Sequence, residues 1–150
     1  MSKMTWFGLV VTLFTMCFAF QIDSIVLNAS MIDNRDAVKQ ASESSIQKSI
    51  NKGTLRVNEM IEIDPVKFSQ EYQKDYALNN DFNYEGSKRN FKIVKVNTSP
   101  AMIAVEGEVV NDSTFKRITK DQEEEVSILS KNIVIYEARS KLKIPGGNLD

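Results

Sequence analysis

Apolar and polar positions are not distributed evenly along this chain. Residues 4–22 form an apolar run without a single charge, and the first charged side chain after it is Asp23. Wound as an α-helix, the run is about 28 Å long at about 1.5 Å per residue. That is close to the roughly 30 Å hydrocarbon core of a bilayer. The pattern predicts a membrane anchor over 4–22, with Leu9, Val10, Leu13, Phe14, Phe18 and Phe20 supplying its apolar bulk. Trp6 stands where interfacial aromatics collect, or is simply one more apolar residue.

The next stretch is polar but keeps a helical period. No Pro or Gly occurs between Gly8 and Gly53, and Ala29, Ile32, Val38, Ala41, Ile46 and Ile50 recur at helical spacing. One long helix is expected, or two with a bend near 28–34, ending at Gly53, which suits a left-handed cap. Its inward stripe is made of small residues, Ala37, Ala41, Ser45 and Ser49. Such a stripe either packs on the chain's own sheet or forms a seam with other subunits. Together with Asp23 at the outer edge of the anchor, these four residues are the candidate partner-contact face.

Residues 54–63 alternate loosely through Leu55, Val57, Ile61 and Ile63, which predicts a short strand or an extended crossover. Asp64-Pro65 is a helix start, with Asp64 as cap and Pro65 in the first turn. Phe68, Tyr72 and Tyr76 follow at spacings of four and read as the core face of a helix ending near Asn79-Asn80. Residues 79–90 read as a polar loop.

Beyond this loop the period becomes two. Strands are expected over 91–97 and 101–110, joined by a turn at Thr98-Ser99-Pro100, with Ile103, Val105 and Val109 on one face. Residues 111–125 read as a charged exposed loop, in which Phe115 and Ile118 are possible pins. The longest strand candidate is 126–142, with a bulge or kink at Ser130-Lys131-Asn132. Pro145-Gly146-Gly147 ends the order.

The expected fold is α+β: a long N-terminal transmembrane and stalk helix, a second helix, then an antiparallel β-meander of three or four strands. The corresponding organisation is a cytoplasmic stub over 1–3, the membrane helix over 4–22 and a helical stalk over 23–53. A small extracytoplasmic domain over 54–144 and a flexible tail over 145–150 complete it. A sheet with one apolar face needs a cover, which the Phe68 helix and the distal part of the first helix can supply.

Charge and composition narrow the role. Of 19 basic side chains Lys3 alone falls in or before the apolar run, leaving 18 against 20 acidic ones. That balance offers no basic stripe for nucleic acid. It also places the positive end of the anchor on the short side, so the positive-inside rule puts the domain outside the cell. Histidine is absent, which excludes His-based acid–base chemistry and most zinc sites. The one cysteine, Cys17, lies inside the anchor, so no internal disulfide can form. A disulfide-free extracytoplasmic domain suits a Gram-positive envelope.

Two other readings of the N-terminus exist. A cleaved signal peptide would use Cys17 and Ala19 with a cut before Phe20, but the apolar pattern is long for a leader and continues through Ile22, Ile25, Val26 and Leu27. A lipoprotein signal would need a small residue before Cys17, where Met16 stands. The uncleaved anchor accounts for more of the sequence.

No phosphate-binding glycine loop, nucleophile elbow or metal-type spacing is present. Ser45-Ile46-Gln47-Lys48 and Ser49-Ile50-Asn51-Lys52 match a Ser-x-x-Lys pattern that lacks its companion motifs. Glu106 and Glu108 share a strand face and could flank a sugar, but read as solvent-facing acids. The oxygens of Asp81, Asn83 and Glu85 lack the spacing of a calcium loop. Asn28, Asn97 and Asn111 begin glycosylation triplets that matter only in a eukaryotic secretory setting. The sequence therefore points to no enzyme, no cofactor and no metal.

The stretches Gln21-Ile22-Asp23, Asp33-Asn34-Arg35-Asp36-Ala37-Val38-Lys39-Gln40-Ala41 and Ser49-Ile50-Asn51-Lys52-Gly53-Thr54-Leu55-Arg56-Val57-Asn58 are similar to a family of short single-span proteins of Firmicutes. Their layout resembles the TadE minor pilin-like proteins of tight-adherence pilus systems. The resemblance implies a membrane helix, a helical stalk and a small β-containing head. It also implies a structural role in the envelope, with other pilus or secretion proteins, or further copies of the chain, as partners. The sequence departs from type IV pilins, which carry Glu at the fifth position after the processing site; after Gly8 that position is Leu13. The competing expectation is a membrane-tethered ligand-binding or sensor accessory domain.

Overall fold

A computed structural model describes residues 3–58, 61–82, 87–111 and 126–136. The first element is a single helix, α1 (Lys3–Ser49). It crosses the boundary between the apolar run and the polar stretch without a break at 28–34, since no Pro or Gly interrupts its hydrogen-bond ladder there. At about 1.5 Å per residue it is on the order of 70 Å long.

The helix ends four residues before Gly53. Ile50 leaves the helix to form an antiparallel bridge with Ile63. Asn51 then caps a new short helix, α2 (Lys52–Asn58), its side-chain oxygen accepting the Gly53 N–H at 3.0 Å. This corrects two expectations. Gly53 lies inside a helix rather than capping one, and 54–58 is helical rather than extended. A good N-cap residue decides the matter over a weak alternation.

The chain returns through Asn51 N–H to Glu62 O (2.8 Å) and Asp64 N–H to Ser49 O (3.0 Å). Helix α3 (Pro65–Leu78) starts as the sequence predicts: Asp64 accepts the N–H groups of Val66 and Lys67, and Pro65 occupies the first turn. Asn79 closes it, donating both its backbone and side-chain N–H groups to Asp75 O.

Three strands follow: β1 (Lys88–Asn97), β2 (Ala101–Asn111) and β3 (Val126–Tyr136). They form an antiparallel meander with β2 in the centre. Strand β1 begins three residues before its apolar run, because Lys88, Arg89 and Asn90 find ladder partners in Val110, Val109 and Glu108. The turn between β1 and β2 contains a cis Ser99–Pro100 bond. The irregularity anticipated at Ser130-Lys131-Asn132 is not there: β2 and β3 pair without a shift, and the break falls in β1 between Ile93 and Lys95. The expected loop over 112–125 and the expected strand and tail beyond Tyr136 lie outside the described residues.

The core is the space between one sheet face and two helices. Along β2 every odd residue from Ala101 to Asn111 is buried and every even one half-buried, the alternation of a sheet covered on one side. Ile103 and Val105 share one core cluster with α1 residues Ala37, Val38, Ala41 and Ile46, with Phe68, Tyr72 and Tyr76 closing the end, and Val109 is buried further along the same strand face. The three rings stack down α3 at 5.7 and 5.9 Å, and Phe91 of β1 meets Tyr72 at 5.5 Å, edge to face. Burying an aromatic or aliphatic side chain of this kind contributes about 1.5–3 kcal/mol.

Candidate functional site

Helix α1 has two halves with opposite surroundings, and the candidate site is the junction between them. The N-terminal half projects bare from the rest of the molecule. Trp6, Leu9, Val10, Leu13, Phe14, Phe18 and Phe20 are all exposed, Phe20 to 73%. Two hydroxyls of this half are satisfied by the helix itself: Thr12 donates to Gly8 O at 2.9 Å, and Thr15 to Val11 O at 3.0 Å. A hydroxyl so satisfied makes no demand on water. Among the described residues, α1 is the one helix long and apolar enough to cross a membrane. Cys17 is a free thiol within this exposed stretch.

The other half, from Ser30 on, is built into the head. Ala37, Ala41, Ser45 and Ser49 are at most 1% exposed. Of the two roles open to this stripe, the structure places it within the chain, as the seat on which α3 and the sheet rest, so it is not an outward seam. Small side chains are what the seat requires, because they let a helix and a backbone approach closely. Asp23, the fifth residue of that candidate face, lies elsewhere, half-buried on the projecting side of the head.

A polar spine runs along the seat. Asn34 is fully buried; its Nδ2 donates to Gly107 O at 2.9 Å and to Ser130 Oγ at 3.2 Å, and its Oδ1 accepts the Tyr76 hydroxyl at 2.9 Å. Asn132 Nδ2 donates to Ser42 Oγ at 2.5 Å, and Gln47 Nε2 to Tyr136 Oη at 2.9 Å. Three inner-face residues of β3 are thus fastened in order to three positions of α1. Ser130-Lys131-Asn132, which the sequence suggested as a kink, is part of this seam. The sequence carries a faint sign of it: Ser130 and Asn132 stand two residues apart, on one face of the strand.

Gly107 makes the approach possible. A Cβ there would lie 2.4 Å from Val38 Cγ2, 2.9 Å from Asn34 Oδ1 and 3.2 Å from Tyr76 Oη. The sequence gives Gly107 no special mark; its neighbours on both sides are glutamates.

Two ion pairs flank the spine. Asp33 Oδ2 sits 2.7 Å from Arg89 Nη1, with both side chains largely buried. The other carboxylate oxygen of Asp33 accepts the N–H groups of Asp81 and Phe82, and Arg89 also donates to Asn80 Oδ1 and to Phe82 O. Asp33 therefore ties the end of α3 and the start of β1 to the first buried turns of α1. At the far end, Lys48 Nζ meets both Asp75 oxygens at 2.7 and 2.8 Å. Burial works to raise the Asp75 pKa, but the hydrogen bonds from Lys48 and Ser44 outweigh it and hold the carboxyl below its usual range. Burial pushes the phenols of Tyr72 and Tyr76 up.

The sheet's other face carries a shallow, open depression lined by Asn90, Phe91, Lys92, Glu106, Glu108 and Leu129. Its two carboxylates are engaged: Glu106 pairs with Lys131 at 2.6 Å, and Glu108 accepts the Ser127 hydroxyl at 3.0 Å. Among the described residues no group of three acidic or thiol side chains is arranged to hold a metal.

No protein-family model, curated protein or solved structure matches this chain.

Proposed function

We propose that this is a non-enzymatic bitopic membrane protein, a structural or assembly component of a bacterial surface pilus or secretion apparatus. The carrying observation is the continuity of α1. One unbroken helix is an exposed apolar rod at one end and the central strut of the head's core at the other. A domain attached through such a helix has its orientation fixed relative to the rod, which suits a part that must present a surface to partners. A flexible linker would serve a freely tumbling binding domain instead. In this reading residues 4–22 span the cell membrane, Lys3 stays in the cytoplasm and the head lies outside. The partners are other envelope proteins of the assembly, further copies of the chain among them.

The test is in a Gram-positive host expressing the full chain. Photo-crosslinkers at exposed positions of α1 should yield adducts with envelope assembly proteins or with the chain itself. The chain should fractionate with membranes at its full length. Recovery of a shortened, freely diffusing protein would overturn the proposal, as would catalytic turnover abolished by substitution of Glu106 or Glu108.

A further inference from the structure

Among the described residues the sheet has two edges, β1 and β3, and they are built differently. Strand β1 carries the devices that keep an edge from pairing. Its register breaks between Ile93 and Lys95, and it bears basic side chains at Lys88, Arg89, Lys92 and Lys95. One of these, Arg89, points inward to its ion pair with Asp33. Strand β3 lacks them but for Lys131, whose charge is neutralised by Glu106. It pairs with β2 from Val126 to Tyr136 in unbroken register and contains no Pro or Gly.

Every second residue of β3 turns its backbone N–H and C=O away from β2. Among the described residues no strand pairs with that side. The side chains along the edge are uncovered as well. On the outer face Leu129, Ile133 and Ile135 are 52%, 66% and 55% exposed. On the inner face Ile128 and Val134 are half-buried, whereas their β2 partners Val109 and Ile103 are fully buried. The core is open on its β3 side.

We propose that the free edge of β3 receives an extended segment of another protein of the envelope assembly, added as a further strand. A row of unpaired backbone groups is satisfied in register only by another extended backbone. Ile133, Val134 and Ile135 bring apolar groups to both faces of the edge. The added segment is therefore a short uncharged run rich in Val and Ile, not an alternating amphipathic one.

The occupant is not β3 of a second copy. Asn34, Ser42 and Gln47 of α1 bond to Ser130, Asn132 and Tyr136 in that order. Strand β3 thus runs the same way as α1, away from its bare half. Antiparallel β3 strands of two copies would be related by a two-fold axis through the sheet, and the two bare halves would point in opposite directions. One membrane cannot hold both. A parallel pair would put the inner faces of the two copies on opposite sides of the joined sheet, where the alternation of side chains falls out of step. This exclusion rests on the proposed reading in which α1 spans the membrane.

The experiment uses the full chain, isotope-labelled, in phosphatidylcholine nanodiscs, and reads amide hydrogen exchange residue by residue. The probe is a short synthetic peptide with a Val/Ile core and lysines at both ends. Its control carries proline in the core, which cannot extend a ladder. Alternate amides of β3 should exchange fast in the chain alone and slow by about tenfold or more with the peptide, while β1 stays unchanged. The proline peptide should slow none of them. Ile133→Lys combined with Ile135→Lys, at two exposed positions, should abolish the effect and leave the amides bonded to β2 slow. A peptide that leaves β3 exchange unchanged, or that protects β1 equally, overturns the inference. So do alternate β3 amides already slow in the chain alone, since the edge is then filled by the chain itself, or by a second copy where the slowing appears only in nanodiscs that hold two. A chain that does not insert into the nanodisc refutes the span, and with it the exclusion of a second copy.

Discussion

The side chain of Asn34, at the first buried turns of the long helix, donates a hydrogen bond to the backbone carbonyl of Gly107 in the middle of the central strand, at 2.9 Å. The contact is short because Gly107 has no Cβ and Asn34 no bulk. It holds the sheet against the helix at the point where the rod becomes the head.

Gly107→Ala is expected to destabilise the head by about 1–3 kcal/mol, the usual cost of forcing an extra methyl into a filled site. The added Cβ would stand 2.4 Å from Val38 Cγ2 and would press on Asn34 and Tyr76. Urea unfolding of the full chain in detergent, followed by tyrosine fluorescence, measures it. A midpoint equal to wild type would refute the close-approach argument.

Asn34→Ala leaves the Tyr76 hydroxyl and the Gly107 carbonyl without their buried partner, at about 1–3 kcal/mol. Tyr76→Phe removes the donor to Asn34 Oδ1 from the other side. Because the two share one bond, a double-mutant cycle should return a coupling of about 0.5 kcal/mol or more. Strict additivity would mean that the spine is not a unit.

Tyr72→Phe should behave differently. The Tyr72 hydroxyl is buried without a partner among the described residues, so its removal should be neutral or stabilising. Both buried phenols have raised pKa values, first of all through burial. The fold therefore favours their neutral form. That contribution is complete below the ordinary tyrosine pKa of about 10 and is lost as pH rises toward the raised folded values. Wild type should unfold on the alkaline side, with Tyr72→Phe less sensitive than wild type. Equal alkaline midpoints for the two would count against burial as the cause.

Asp75 gives the opposite sign. Its folded pKa is lowered, so its contribution is present above the ordinary carboxylate value of about 4 and is lost as pH falls through the lower folded one. Asp75→Asn should flatten that part of the acid limb of the stability profile. A variant profile parallel to wild type between about pH 5 and 3 would show that the Lys48 pair contributes nothing there.

What the sequence determined by itself was whatever depends on near neighbours. The charge-free run marked the apolar part of the bare half of α1, and the absence of Pro and Gly after Gly8 kept the helix whole. Asp64-Pro65 placed the start of α3, and the two-residue period of β2 named Ile103, Val105 and Val109 as core. Each of these is decided by atoms within a few residues of one another. Tertiary structure decided the rest. Whether Ala37, Ala41, Ser45 and Ser49 face outward or inward turns on α3 and β2, which are distant in sequence. The place of Ser130 and Asn132 turns on Asn34 and Ser42, about ninety residues earlier. Gly107 looks ordinary between its glutamates until a helix is laid across it. A residue type limits what a position can do, and the neighbour that the folded chain brings against it selects which of those things it does.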